Sequence, residues 1–357
     1  MTHVATAAAA PSARGSGGAP SVSPSAGSEF SPLLRTVKGQ GLLDRRKGWY
    51  TLAIAVNALT LAAVVTGIVL IGDSWWTLLL AVPLAVFSSR TAFIGHDAGH
   101  AQISSDRGVG RLLGLIHGNL LLGMSCAWWN DKHNRHHANP NHVEKDPDVK
   151  ADVLVFSVDQ VLERRGFRRW LTRHQAWLFF PLTLLEGVAL KVYGFQDLRR
   201  QAPRERLVEG ALLLLHVAAY ATLLLTVLSP GKAVAFVAIH QALFGLHLGM
   251  AFAPNHKGME MPDPDSAERW GHLRRQVLTS RNIRGGPLTD WFLGGLNYQI
   301  EHHLFPSMPR PHLRLVQPMV RAHCRDLGIP YAETGLVESY RQALGYMHEV
   351  GEPLREM

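Results

Sequence analysis

Nineteen of the 357 residues are histidine, and many fall in short runs. The first run is His96-Asp97-Ala98-Gly99-His100, the second His133-Asn134-Arg135-His136-His137, and the third Gln299-Ile300-Glu301-His302-His303. Asn255-His256 adds a fourth place. On a helix, residues i and i+4 share a face. His96 with His100, and His133 with His137, would then each point at one region of space, with His136 turned slightly aside. Imidazole is a good ligand for iron, zinc and copper. A tetrahedral zinc takes no more than four ligands. Eight histidines in four places (His96, His100, His133, His136, His137, His256, His302 and His303) therefore predict two metals.

These runs need elements to hold them. Residues 48–72, 210–231 and 233–255 form runs of 25, 22 and 23 residues without a charged side chain. About 20 such residues cross a bilayer core. Spans are predicted over about 49–71, 75–93, 207–228 and 233–253, with tiny loops around Asp73 and at Ser229-Pro230-Gly231-Lys232. Lys232 is the only Lys or Arg in those loops, whereas Arg35, Lys38, Arg45, Arg46 and Lys47 precede the first span. The positive-inside rule places both termini, the central segment and every histidine run in the cytoplasm, under the cell (inner) membrane. The apolar stretches 112–129 and 174–190 are expected to be helices lying on the membrane.

The expected organisation is a disordered tail over 1–28, rich in Ala, Ser, Gly and Pro, then an amphipathic membrane-surface segment over 29–47 with Phe30, Leu33, Leu34 and Val37 at helical spacing. A main domain follows over 48–325, and a C-terminal cytoplasmic tail over 326–357. The fold class is an all-α integral membrane protein, with four transmembrane helices and a cytoplasmic helical cap holding the metal centre. Two distant cysteines, Cys126 and Cys324, make no disulfide framework. A net charge of +8 fits attraction to anionic lipid. Nucleic-acid binding is excluded, because no reading motif accompanies the charge.

The three histidine runs resemble those of the membrane-bound fatty acid desaturase family, over about residues 45–325. The stretch from Asp290-Trp291 through Gly294-Gly295-Leu296-Asn297-Tyr298 to Gln299-Ile300-Glu301-His302-His303-Leu304-Phe305-Pro306 looks like the front-end branch and its bacterial acyl-lipid or acyl-CoA relatives. In that branch glutamine stands where other desaturases carry a histidine. The resemblance implies a di-iron centre. Its ligands would be His96, His100, His133, His136, His137, His302 and His303, with His256 matching a histidine that follows the last span in related enzymes. Gln299 is a weak ligand or a support for one. A ligand histidine usually passes its other N–H to a carboxylate or carbonyl. Asp97, Asp131, Asp146, Asp148, Asp290 and Glu301 are candidates for that role, and Asn255 is a further polar neighbour.

Removing hydrogen from an unactivated methylene needs an oxidant that no side chain supplies. The resemblance implies O2 as co-substrate, two iron ions and a cis double bond as product. The substrate would be a fatty acyl chain on CoA, carrier protein or lipid, brought to the metals through an apolar tunnel. The sequence has no His-Pro-Gly-Gly haem motif, no GxGxxG fingerprint and no cysteine run for iron–sulfur. A separate electron donor such as a ferredoxin with its reductase is therefore expected. The alternatives are a di-iron hydroxylase, ketolase or acetylenase on the same scaffold, a zinc enzyme, and a transporter. A zinc site leaves four or more histidines unexplained. A transporter should gather polar residues mid-membrane, not at span ends on one side. His216, His240 and His247, within the predicted spans, read as hydrogen-bonded bundle residues; His117 and His142 lie near the runs without matching them.

Overall fold

The computed structural model describes residues 28–262 and 270–356. Apart from Ser28, the tail expected over 1–28 lies outside the described residues. Helix α1 (Phe30–Gly39) leads to α2 (Lys47–Ile71), and a tight 3-10 turn joins α2 to α3 (Ala81–Gly99). Helix α4 (Arg107–Gly114) runs on as a π-helical segment over Leu115–Leu122, and α5 (Cys126–Ala138) follows. Four shorter helices come next: α6 (Val158–Leu162), α7 (Gly166–Arg173), α8 (Gln175–Thr183) and α9 (Glu186–Asp197). The second long pair is α10 (Pro203–Val227) and α11 (Pro230–Phe252). The rest is α12 (His272–Leu278), β1 (Asn282–Arg284), α13 (Pro287–Phe292), α14 (Gln299–Leu304), α15 (Arg310–Asp326), β2 (Glu333–Gly335), α16 (Leu336–Val350) and α17 (Pro353–Glu356).

Four helical stretches are long and apolar enough to cross a membrane: Lys47–Ile71, Trp75–Gly99, Pro203–Val227 and Pro230–Asn255. Their outward faces expose Leu52, Leu59, Leu70, Leu214, Leu215 and Leu225. So much exposed hydrocarbon marks a lipid-facing surface. Inside, Val64, Ile68, Leu84, Leu224 and Phe236 close the bundle. Asp73 ties its two hairpin loops together, accepting from Ser229 N at 2.8 Å and pairing with Lys232 at 3.1 Å. Both loops therefore sit at one end, and the histidine runs gather at the other.

The two ambiguous apolar stretches are bent. The helix ending at Leu122 meets α5 at 112°, and α8 meets the helix beginning at Glu186 at 73°. Past these bends α5 meets α10, and α9 packs along α11. Helix α5 is held there by its N-terminus, where Ala127 N donates to Glu209 Oε1 at 3.0 Å and Ser125 Oγ to Glu209 Oε2 at 2.5 Å. A carboxylate suits the positive end of the helix dipole.

Both ends of the described chain pack onto the cap. The amphipathic segment over 29–47 does form a helix, but Leu33 and Val37 are buried against Leu313, Val316 and Val320 of α15. Its apolar stripe is taken up by the protein's own cap. Residues 326–356, in the segment expected as the C-terminal cytoplasmic tail, are packed on the protein. Strand β2 pairs in parallel with β1, Asn282 opposite Glu333, and α16 buries Tyr340 and Met347 against Phe156 and Phe179. Enough apolar side chains recur at helical spacing in α16 to dock it, and the sequence reading gave them no partner.

Candidate metal centre

The first histidine run closes α3, with His100 just past its end, the second lies on α5, His256 follows the 3-10 turn Ala253–Asn255 that extends α11, and the third lies on α14. A backbone device brings α14 to α3. Gly294 has φ +63°, and a Cβ there would meet the Phe93 ring at 2.4 Å. Only glycine allows both the left-handed backbone and that approach.

Five imidazoles (His96, His100, His133, His137 and His302) each offer a nitrogen within 4.8 Å of the others. Three more (His136, His256 and His303) make a second group on the same criterion. All eight are buried. The groups adjoin, with His137 and His303 stacked at 4.1 Å between ring centroids. His136, one residue before His137, points into the other group, so α5 serves both.

The nitrogens suit a metal better than one another. His96 Nε2 lies 3.1 Å from His302 Nε2, and His133 Nε2 lies 3.0 Å from His137 Nε2. Two ligand nitrogens at about 2.1 Å from one metal would stand about 3.0 Å apart at right angles and about 3.4 Å apart in a tetrahedron. His100 Nε2 and His303 Nε2 are buried without a hydrogen-bond partner, an arrangement that is costly unless something binds them. Burial, reinforced by the neighbouring imidazoles, holds His100, His133, His137, His302 and His303 well below the usual histidine range. Burial does the same for His256. Neutral rings keep their lone pairs available for a metal. At His136 burial also opposes the charge, but Asp146 and Asp148 outweigh it and the pKa is raised.

Further contacts fix which nitrogen faces inward. His96 Nδ1 lies 3.0 Å from Asp97 Oδ1, and His136 Nδ1 lies 2.9 Å from Asp146 Oδ2. His256 Nδ1 faces Thr279 O at 2.9 Å, and His303 Nδ1 faces Gln276 Oε1 at 2.9 Å. Each therefore presents Nε2 to its group. Asp97 is itself held by Arg310 at 2.5 Å and by the Tyr50 hydroxyl at 3.0 Å. Asp148 lies 3.4 Å from His136 Nδ1 and pairs with Lys132.

Other candidates lie elsewhere. Asp131 pairs with Arg135 at an exposed site. Asp290 accepts from Asn297 Nδ2 at 2.9 Å and from the Tyr298 hydroxyl. Glu301 accepts from Asn282 and Tyr331, and burial raises its pKa to about 7. Asp290 and Glu301 thus brace the loop and helix that carry the third run, and neither bonds to an imidazole. Gln299 Nε2 donates to His256 Nε2 at 2.9 Å, while Gln299 Oε1 accepts from Asn255 at 3.2 Å. Rotating that amide by half a turn would present its oxygen to the second group. Gln276, Arg310, Tyr50, Thr279 and Arg281 escaped the sequence reading, because each reaches the histidines from a distant part of the chain. His117, His216, His240 and His247 are hydrogen-bonded away from the centre, to Leu113 O, Leu120 O, Ser88 with Tyr220, and Phe292 O respectively.

A cavity of about 520 Å³ opens beside the two groups. His96, His133, His136, His256 and Gln299 face it, among apolar walls that include Leu122, Met124, Trp129, Leu190, Leu248 and Phe252. At one end its lining reaches the exposed Lys150, Asp152 and Tyr193.

A helical membrane stem whose foot gathers eight imidazoles beside an apolar cavity defines a helical membrane protein with histidine clusters that could hold metal. The sequence pattern of the fatty acid desaturases matches residues 73–335. The chain belongs to the fatty acid desaturase family. It is 28% identical to an acyl-lipid (9-3)-desaturase of Physcomitrium patens, over 92% of this chain and 63% of that protein. It is 30% identical to delta(8)-fatty-acid desaturase 2 of Arabidopsis thaliana, over 85% of this chain and 70% of the relative. A delta(6)-fatty-acid desaturase of Caenorhabditis elegans is 27% identical over 91% of this chain and 75% of its own length. The chain thus spans under two thirds of the moss relative.

Proposed function

We propose that this protein is a membrane fatty acyl desaturase that introduces a cis double bond into a long acyl chain, consuming O2 and two electrons from a separate carrier such as a ferredoxin. The observation that carries the reading is the two adjoining imidazole groups opening onto one apolar cavity. His96, His100, His133, His137 and His302 would hold one iron, and His136, His256 and His303 the other, with Gln299 as a weak ligand or a neighbour. Bound iron would supply the oxidation of an unactivated methylene, which side chains cannot perform.

The chain's own part is to bind, orient and exclude. Apolar walls align an extended acyl chain past His133 and His136 and keep water from the reacting carbons. Asp97 and Asp146 orient their imidazoles and raise the basicity of the inward nitrogen. The charge asymmetry around the spans supports a cytoplasmic face for the centre, under the cell membrane. The acyl carrier would be CoA, carrier protein or lipid, with its polar end near Lys150 and Asp152.

Expression in a host with simple lipids, followed by fatty-acid profiling, tests this. A new cis alkene should appear and vanish in His137→Ala and His303→Ala, while both variants stay membrane-embedded. An alcohol carrying label from O2 in place of the alkene would overturn the reading and favour a hydroxylase.

A further inference from the structure

Helix α7 takes no part in the metal centre, and the described residues leave its outer face uncovered. Phe167 and Trp170, one turn apart, are 71% and 48% exposed, and their rings stack at 5.6 Å between centroids. The row runs on through His174, 5.0 Å from the Trp170 ring, to Trp177, which is 80% exposed. The opposite side of α7 is buried. Thr172 lies against the C-terminal turn, where a Cβ on Gly351 would stand 3.0 Å from Thr172 O. Exposed rings in a row mark a contact surface.

The fold gives the depth of that surface. Past α7, α8 runs into the side of α11. A Cβ on Gly245 would stand 2.6 Å from Thr183 O, and one on Gly249 2.8 Å from Thr183 Cγ2. These glycines precede Asn255, the end of that span, by ten and six residues, or about 15 and 9 Å at the helical rise of about 1.5 Å per residue. The nine residues of α8 cover about 13 Å. At its other end Gln175 Nε2 donates to Met347 O of the cap at 3.1 Å. Helix α8 therefore rises from the cap into the depth of the span, which leaves α7 near the level where the span ends. Val188 and Val192 on α9 carry the exposed apolar surface onward.

Charge identifies what lies against α7. Residues 164–173 include five arginines and no acid, with Asp159 and Glu163 before them. Arg164 turns inward to Asp152 O at 2.6 Å, and Arg165 donates to Leu162 O and Arg164 O. The guanidinium groups of Arg168, Arg169 and Arg173 meet no acceptor among the described residues. At about 3.6 residues per turn, Arg168 falls on one side of the ring row and Arg173 on the other. Rings between flanking cations are the pattern of a helix lying in a leaflet of anionic lipid. An acidic soluble protein would match the cations but not Trp177 and Val188, which lie deeper along the same surface.

We propose that α7 is an interfacial anchor: Phe167 and Trp170 enter the leaflet on the histidine side of the membrane, and Arg168, Arg169 and Arg173 bind the phosphates of anionic lipid. The anchor is independent of the reaction at the metal centre. It adjoins the acyl cavity, because Asp152, which Arg164 holds, is part of that cavity's lining.

The test uses the full chain in nanodiscs, with both native cysteines replaced by alanine and one nitroxide at Phe167→Cys, Trp177→Cys or Asp326→Cys. Asp326, 69% exposed at the end of α15, reports water. Accessibility to oxygen and to a water-soluble nickel complex is compared in zwitterionic lipid and in lipid containing phosphatidylglycerol. The Phe167 and Trp177 labels should favour oxygen, and the Phe167 label should lie deeper with phosphatidylglycerol at low salt. The triple variant Arg168→Gln/Arg169→Gln/Arg173→Gln should lose that added depth, while the Trp177 label stays in lipid and thermal unfolding is unchanged. Equal nickel access at the Phe167 and Asp326 labels in both lipids overturns the anchor. So does a depth at Phe167 that neither the lipid charge nor the arginines alter. A Phe167 label that stays in water but is immobilised by an acidic ferredoxin would give the face to a protein and overturn it too.

Discussion

His136 Nδ1 lies 2.9 Å from Asp146 Oδ2, and this contact turns the imidazole into the group that holds His256 and His303. Asp146 is almost fully buried and also accepts from Asn141 N at 2.7 Å and Asp148 N at 2.8 Å. Those bonds hold its charge in place. Asp146→Asn should therefore weaken metal binding in the second group by about 10- to 100-fold. Metal analysis after mild chelation should show one metal leaving before the other. Equal retention of both would show that Asp146 does not tune His136.

Gln276 plays the matching part for His303. Its Oε1 accepts from His303 Nδ1 at 2.9 Å, and its Nε2 donates to His137 O at 2.9 Å. Gln276→Leu strands a buried donor and a buried acceptor, at about 1–3 kcal/mol each. Lower thermal stability and looser binding of the second metal are expected together. Gln276→Glu restores an acceptor for His303 and should recover part of the metal affinity. Equal loss in both variants would argue that the glutamine serves packing alone.

These contacts mark the limit of what the sequence discloses. Three of the four spans were legible because a run of more than 20 uncharged residues has few other solutions; the span over 75–93 is broken by Arg90 and was read from its apolar content and its short loop. The pairing of His96 with His100 and of His133 with His137 was legible because a helix puts i and i+4 on one face, whereas His256 has no such partner and was read from its place beside a span and from the family resemblance. Asn141 shows what was not. It donates to His256 O, Glu260 O and Thr279 O at 3.0–3.3 Å, and nothing in Asn-Pro-Asn-His names acceptors over a hundred residues away. Glu209 at the start of α5 and α16 on the cap are of the same kind, since long-range pairings have no period. Glu301 failed differently. It adjoins His302 in sequence, yet a helix turns successive side chains apart, and it faces Asn282 and Tyr331 instead.

Arg310 reaches the first group through Asp97, more than 200 residues away in sequence. Its guanidinium lies 2.5 Å from Asp97 Oδ2 and donates to Phe93 O at 2.8 Å, and Asp97 in turn holds His96. Removing one partner of a buried ion pair costs about 3–5 kcal/mol, because the other charge stays behind. Arg310→Met should lower the unfolding temperature of the purified protein clearly. Tyr50→Phe, which removes a hydroxyl donor to the same carboxylate and the acceptor for Arg310 N, should cost less, about 1.5–3 kcal/mol. Reversal of that order would mean that Asp97 is not held as an anion.

Arg281 shows whether a position is set by one residue or by the fold at large. Its backbone N donates to Asn255 O at 2.8 Å, and its guanidinium donates to Pro254 O at 2.7 and 3.1 Å and to Lys257 O at 2.6 Å. Those carbonyls bracket His256 at the end of α11, where a cation also answers the negative end of the helix dipole. The other arm meets Gln342 on α16. Arg281→Met keeps the backbone bond to Asn255 O but takes the guanidinium from Pro254 O and Lys257 O, and so loosens the turn that carries His256. The second metal should be lost first, taking the content from two toward one, with the first group still loaded. Tyr340→Phe is the matched comparison. It removes the hydroxyl bond from α16 to Met250 O at 2.5 Å and should lower stability without changing the metal count. If Arg281→Met instead sheds both metals in step with unfolding, the arginine supports the cap as a whole and does not position His256.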